Sequence, residues 1–413
     1  MNPNPGRPLV LIEPYAHRPG GHHQRTLAAL AAARPGSLVI APCGLADGIT
    51  VPKETQARAA TGPVGLAAAV LTGGASAAEH ISALGRRVFT SRRWPQAVRR
   101  LPHQVTLLAR CLTEAACLRT ARQLAPDAAA VVILTASEAL HGAAALLGGS
   151  KHLRFIHEAV TTEDLPVRLL GRLARRGEER VLALYPTAAV RDQFAPAFPH
   201  LPGEVRAFAV DDGHRLTDAE CVGARAAFTV PADARAVSLV GGWWPYKDIP
   251  TIDAALARLT EPLHLLVCGS PLDDAVLARW HQLPKVRLHT LPGPVNDDVL
   301  RLVYAAADAA LVARLPGVGK ESGLVMDAVR LGVPLIVSRH DPDLTRRLAG
   351  QPWVRLFQAG DTDALATALD GLADAVPERP GPQAPRLVGM HPAAEQAAFL
   401  TDTCTRLQVK EKA

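Results

Sequence analysis

The sequence predicts an α/β protein made of two Rossmann-like, doubly wound parallel-sheet domains facing a central cleft, followed by a C-terminal helix. Three observations predict it. Short aliphatic or β-branched runs alternate with Ala- and Leu-rich helical segments along the chain, and strand–helix alternation builds a parallel sheet covered on both faces. The runs are apolar almost throughout, as strands buried on both faces require. A length of 413 residues exceeds what one core usually supports.

In order, "PLVLIEP", "SLVIAP", "RRVFTS", "AVVILT", "LRFIHEA", "VLALYPT" and "VRAFAV" read as strands of the first block. "AVSLVGG", "LHLLVCG", "VRLHTLPG", "AALVAR", "PLIVSR" and "VRLFQA" read as strands of the second. The polar run "DDGHRLTDAE" separates the blocks, which places a first domain at 1–210 and a second at 211–385. A proline-rich link over 376–393 leads into "HPAAEQAAFLTDTCTRL", an amphipathic helix within the closing segment 386–413.

Composition narrows the class. Aromatics make up only 4% of residues, so Ala, Leu and Val must fill the cores. The start of the chain carries Pro3, Pro5 and Arg7 before a short apolar run, which does not read as a signal peptide. The longest apolar region, "AAAVVILTASEALHGAAALLGG", is broken by Ser137, Glu138 and His141 and reads as strand plus helix rather than a membrane span. The six cysteines form no CxxC pair, so reduced thiols of a cytoplasmic protein without structural zinc are expected. Lysine occurs only seven times, an arginine bias that suggests a GC-rich bacterial genome and gives weight to any lysine inside a motif.

Charge is uneven: residues 1–210 hold 24 Lys+Arg against 14 Asp+Glu, and residues 211–413 hold 21 against 25. A basic first half suits an anionic substrate, a membrane face or nucleic acid, or is a solvated arginine-rich surface. Residues 86–123 place nine arginines among Leu, Val and Trp94, a composition for peripheral contact with anionic lipid or an anionic acceptor. Pro95 and Pro102 are expected to break this stretch into pieces, and two solvated helices beside the sheet are the alternative.

Four loops at the carboxyl ends of strands carry the candidate chemistry, since ligands of doubly wound domains bind there. The first, "EPYAHRPGGHHQRTLAALAAA", brings Gly20 and Gly21 to a helix start, where a phosphate or sugar can approach the backbone, and crowds His17, Arg18, His22 and His23 beside them. The second ends a strand at His157, suited to a substrate hydroxyl, a phosphate or a core hydrogen bond. The third, "AVSLVGGWWPYKDIPTIDAALARL", puts Lys247 at a helix start, where an ammonium suits a diphosphate. Trp243 and Trp244 there stack on a sugar or base, or plug an interface. The fourth, "GVGKESGLVMDAVRLGVPLIVS", frees Gly317, Gly319 and Gly323 to wrap an anion above the amides of Ser322, Gly323 and Leu324. Asp327, one turn in, is placed to accept from a ribose diol, with Lys320 and Glu321 on the sugar side.

Together these stretches resemble the GT-B glycosyltransferases of the family 4 type, retaining nucleotide-sugar enzymes. The resemblance covers most of the chain: the Gly-Gly loop, His157, "VGGWWPYKDIPTIDAAL", "LLVCGSP", "VNDDVLRLVYAAADAALVA" and "SGLVMDAVRLGVPLIVS". It implies an acceptor-binding first domain, a donor-binding second domain and a terminal helix that packs back on the first. It further implies catalytic roles for His157, Lys247 and Glu321. Donor contacts would fall at Gly20, Gly21, Gly242, Lys247, Pro294, Val295, Lys320, Glu321, Ser322, Gly323, Leu324 and Asp327, with acceptor contacts at His17, Arg18 and His22. The chain departs from the pattern at Gly242, where the family usually has an arginine, and at Gly319, eight positions before Asp327, where it has a glutamate. Asp327 is itself one methylene shorter than the usual glutamate.

The implied reaction moves a UDP- or GDP-linked sugar to an acceptor hydroxyl with retention, with no cofactor and no metal. The Asp-x-Asp pairs Asp341/Asp343 and Asp361/Asp363 both open predicted helices and read as caps. A catalytically silent GT-B binding subunit and a sugar-nucleotide epimerase are the alternatives. A dinucleotide oxidoreductase is disfavoured, because no GxGxxG follows either first strand. Nucleic-acid binding is disfavoured by the scarcity of stacking aromatics.

Overall fold

The computed structural model describes residues 7–17, 22–46, 51, 56–57, 66–89, 95–136, 140–157 and 174–409. They divide into two compact units. One holds the N-terminal strand, His23–Phe208 and the chain from Ala393 onward; the other holds His22 and Ala209–Pro392.

In the first unit, strands β1 (Leu9–Ile12), β2 (Leu38–Ile40), β3 (Gln56–Ala57), β4 (Ala130–Ile133), β5 (His152–Phe155), β6 (Val181–Tyr185) and β7 (Gly203–Val205) form one sheet in the order β3-β2-β1-β4-β5-β6-β7. Neighbours pair parallel, and β1, β4, β5 and β6 are buried along their whole length, which is why they read as unbroken apolar runs.

The described part of "RRVFTS", 86–89, is not a strand. Arg86–Phe89 instead end the 24-residue helix Leu66–Phe89. The Ala-rich segment before them nucleates a helix that simply continues, because propagation needs only one further bond per residue. Its buried residues Ala68, Ala75, Ala78 and Ser82 keep helical spacing up to the turn before that end. Pro102 does not break the next helix either, which runs from Gln96 to Leu124 with Pro95 at its N-cap. The Pro102 carbonyl accepts from Ser82 Oγ at 2.7 Å and Thr106 Oγ1 at 2.9 Å, so packing along the neighbouring helix outweighs one missing N–H.

"VRAFAV" is divided between β7 and β8 (Val210–Asp211). The second unit continues with β9 (Ala236–Val240), β10 (Leu263–Gly269), β11 (Val286–Pro292), β12 (Ala309–Val312), β13 (Leu335–Ser338), β14 (Val354–Phe357) and β15 (His391–Pro392). Six of these form a parallel sheet in the order β11-β10-β9-β12-β13-β14, while β8 pairs with β15. Each sheet reverses its winding beside its first strand, between β1 and β4 and between β9 and β12, where diverging loops leave a crevice.

The terminal helix Ala393–Val409 belongs to the first unit. Gln396 Nε2 donates to Ala207 O at 3.0 Å, Arg206 Nε donates to Gln396 Oε1 at 2.6 Å, and Lys151 Nζ donates to Leu407 O at 3.1 Å.

Candidate functional site

The crevice between β9 and β12 gathers the strongest candidates. β9 runs into Gly241 and Gly242, and the chain then turns through Trp244–Lys247 into helix Ile249–Leu256, capped by Asp248. β12 runs into Arg314, and a short antiparallel bridge ties Lys247 to Arg314. Both side chains are buried. Lys247 Nζ donates to Val240 O at 2.6 Å and Gly241 O at 2.8 Å. Arg314 Nη1 donates to Lys320 O at 3.0 Å, and its backbone N–H donates to Ser338 Oγ at 2.9 Å. Tyr246 carries two cations on its ring, Arg314 at 5.3 Å and Lys320 at 3.9 Å.

Sequence reasoning missed Arg314. The signal is there in "AALVAR", an arginine directly after a buried strand, but its value depends on β12 lying beside β9. Gly242 is a packing glycine: a Cβ there would meet Ser270 O at 2.1 Å and Pro271 N at 2.8 Å. The position expected to carry a diphosphate-binding arginine therefore has no room for one, and the second cation comes from β12 instead.

Lys247 and Arg314 are adjacent cations, and Asp341 and Glu321 are the carboxylates whose charge reaches Arg314. Burial first, and then the charge of Arg314, push the Lys247 ammonium down to about 7. Burial also lowers Arg314, with Tyr246, Asp341 and Glu321 opposing that shift. The unfolded lysine titrates at about 10.5, so between about 7 and 10.5 the unfolded chain binds the extra proton and the folded chain gains stability as pH rises. Thermal melts of the free protein are expected to rise from pH 7 to 9 relative to Lys247→Met, which lacks this linkage; parallel curves would remove Lys247 from the buried pair.

Ser322 opens helix Gly323–Leu331, its Oγ accepting from Val325 N at 3.4 Å, and Gly332 in the left-handed conformation ends it. The first-turn amides have no intrahelical partner and form an anion-binding end. That end adjoins Lys247: a Cβ on Gly241 would lie 3.4 Å from Lys247 Nζ and 3.8 Å from Leu324 Cδ2. Asp327 is buried on the helix's inner side, with Arg330 Nη2 3.9 Å from its carboxylate and Arg330 held in turn by Asp212. Glu321 and Lys320 are half-buried beside the loop. Pro294 is exposed and Val295 packs on the core, and Gly293 N donates to Gly269 O at 3.1 Å in the loops after β10 and β11.

Trp243 packs on Trp280 with ring centroids 5.2 Å apart, whereas Trp244 is exposed. Asp341 and Asp361 cap the helices after β13 and β14, accepting from Asp343, Leu344 and Ala364 amides. Among the described residues no group of His, Cys, Asp or Glu is arranged to hold a metal ion, and no disulfide joins any of the six cysteines.

In the first unit, His157 Nε2 donates to Leu134 O at 2.9 Å, and its ring packs at 4.6 Å against both His23 and Phe208. That is the setting of a histidine oriented by its neighbours. His17 is exposed and lines an open cavity of about 490 Å³ at the ends of β1, β2 and β4, with Tyr15, Cys43, Glu79, Arg110 and Thr135. His22 begins helix His22–Ala33, while Arg18, Gly20, Gly21 and the His22 side chain lie outside the described residues.

Two Rossmann-like units in one chain, with the terminal helix returned to the first, define the GT-B architecture, and this chain has it. Anabaena HepE, solved in complex with UDP-glucose, is 13% identical, with 97% of this chain and 99% of that one covered and a TM-score of 0.57. Sucrose-phosphate synthase from Thermosynechococcus elongatus is 16% identical, covering 98% and 100%, with a TM-score of 0.58. The UDP-forming trehalose-phosphate synthase from Burkholderia xenovorans, solved in complex with glucose-6-phosphate, is 13% identical, covering 97% and 100%, with a TM-score of 0.57. These are likenesses of fold. No protein-family model matches the sequence, and no curated protein matches it. No helix among the described residues is long and apolar enough to cross a membrane.

Proposed function

We propose that the protein is a cytoplasmic bacterial glycosyltransferase that moves a sugar from a nucleotide diphosphate sugar to an acceptor hydroxyl, with retention and without a metal. One observation carries the reading: two buried cations, Lys247 and Arg314, lie side by side at the second sheet's crevice, beside a helix start. A diphosphate between them would offset the repulsion of two adjacent positive charges. As the sugar–oxygen bond breaks, charge grows on the leaving diphosphate, where Lys247, Arg314, Lys320 and the amides of Gly323 and Leu324 stabilise it electrostatically. No protein nucleophile is required. Glu321 faces the sugar and Asp327 the ribose, and the acceptor is assigned to the first unit's cavity with His17. The UDP-glucose complex of Anabaena HepE supports a UDP-linked donor by likeness of fold.

The test is a thermal-shift screen with UDP, GDP, ADP and CMP, followed by nucleotide-release assays with sugars linked to the best binder. A diphosphate nucleotide is expected to raise the melting temperature most; equal effects from all four, CMP included, would sink the diphosphate site.

A second reading, a silent binding subunit, draws on Gly319 in place of an acid and on Arg330 lying 3.9 Å from the Asp327 carboxylate. It predicts tight nucleotide-sugar binding with no nucleotide released. An epimerase would instead return an altered sugar nucleotide without any acceptor.

A further inference from the structure

The helix Leu66–Phe89 carries a face that the described residues leave uncovered. Leu66, Val70, Gly73, Ala77, Ile81, Leu84 and Val88 follow one another at steps of three or four residues and so share one side of the helix. They form a stripe about 33 Å long at 1.5 Å per residue. Its large members are 49% to 85% exposed, far more than the scattered surface aliphatics of an ordinary globular domain need. The burial pattern shows that the first unit does not use this side. Ala68, Ala75, Ala78 and Ser82 face inward, and Thr72, Ala75, Ser76 and Glu79 face the cavity. The stripe lies opposite the cavity wall, so an acceptor in the cavity would not cover it.

Charge decides what would. Residues 66–113 hold seven arginines against one acid, Glu79, although Arg110 among them lines the cavity on the other side, as Glu79 does. Arg87 and Arg99 are exposed at the facing ends of the two helices, as are Leu101 and Leu108 on the second. Joining two copies of the chain through this face would bring like charges, Arg87 and Arg99 of each, toward one another. An anionic bilayer supplies both the missing negative charge and an apolar boundary for the aliphatic stripe.

We infer that the Leu66–Val88 face, with Arg87 and Arg99 beside it, docks the protein on the surface of an anionic bilayer. The helix lies on that surface rather than crossing it, in keeping with its hydropathy. The site differs from the stretch that arginine content marks. The aliphatic residues that insert come from 66–88, and Arg87 and Arg99 contribute counter-charge.

The full chain is sedimented with phosphatidylcholine vesicles, with and without phosphatidylglycerol. Binding is expected only with phosphatidylglycerol and is expected to weaken as salt rises. Ile81→Glu with Leu84→Glu lowers affinity roughly tenfold or more, and Arg87→Ala or Arg99→Ala lowers it roughly fivefold each. Because these side chains are exposed, circular-dichroism melts should match the native protein and exclude misfolding. Equal binding by the glutamate variant, or no sedimentation with anionic vesicles at low salt, overturns the inference. So does a concentration-dependent dimer that the glutamate variant abolishes without any lipid binding, which would make the occupant a second copy. The donor chemistry is read by nucleotide binding, so either idea can fail without the other.

Discussion

Lys247→Met and Arg314→Leu are each expected to lower donor turnover by roughly 10²- to 10³-fold, the usual cost of removing one preorganised group that stabilises developing charge. The two cations meet across the bridge between the β9 loop and the end of β12, so if the proposed site is right they act on one diphosphate and their effects should not add. Loss of fold would mimic this result, but the electrostatics separate the two. Burial and Arg314 already oppose the charge on Lys247 in the free protein. Removing that charge therefore leaves the melting temperature of the free protein unchanged or raises it, while the stabilisation by nucleotide disappears. Steady-state assays beside melts with and without UDP read both quantities. A Lys247→Met protein that keeps native turnover and native stabilisation by UDP would take the lysine out of the site.

Part of this site is legible in the amino-acid sequence and part is not, for a consistent reason. Lys247 stands out because lysine is rare in the chain and because a strand, two glycines and a helix start surround it; all of that is local in sequence. The helix Gly323–Leu331 is legible from its glycine-rich start and its Gly332 stop. Arg314 lies 67 positions after Lys247, and only the strand order that sets β12 beside β9 brings them together. The role of Gly242 is unreadable because it depends on the backbone of Ser270 and Pro271 pressing from the next loop. The cavity of the first unit is assembled from three strand ends and two helices, so no single stretch announces it. The end of the helix over 66–89 resembles a strand because apolar residues after two arginines suit a short strand as well as a helix, and only helix length decides between them. The apolar face on that helix is hidden because arginine content points to residues 86–123, whereas its aliphatic residues begin at Leu66.

Gly242 gives the sharpest test of how the two cations came to be arranged. The resemblance suggests an arginine at this position, so Gly242→Arg looks like a restoration. The structure predicts the opposite. A Cβ at this position meets the Ser270 carbonyl oxygen at 2.1 Å, its carbon at 2.6 Å and the Pro271 nitrogen at 2.8 Å, all backbone atoms that cannot rotate away. Gly242→Ala alone is expected to cost about 3 kcal/mol or more, a drop of roughly 6–12 °C in melting temperature for a unit of this size. Gly242→Arg should be at least as unstable, with no gain in turnover. Because alanine carries no charge, a loss shared by both variants isolates the steric cause from any electrostatic one. If Gly242→Arg instead melted as the native protein does and turned over donor faster, the loop after β10 would have to yield, and the arginine would have found the anion from the usual side. Arg314 would then be a buried cation with no assigned ligand. The predicted loss means instead that the approach of Ser270–Pro271 to the β9 loop closed one route for a cation, leaving the end of β12 as the neighbouring strand from which a guanidinium reaches Lys247.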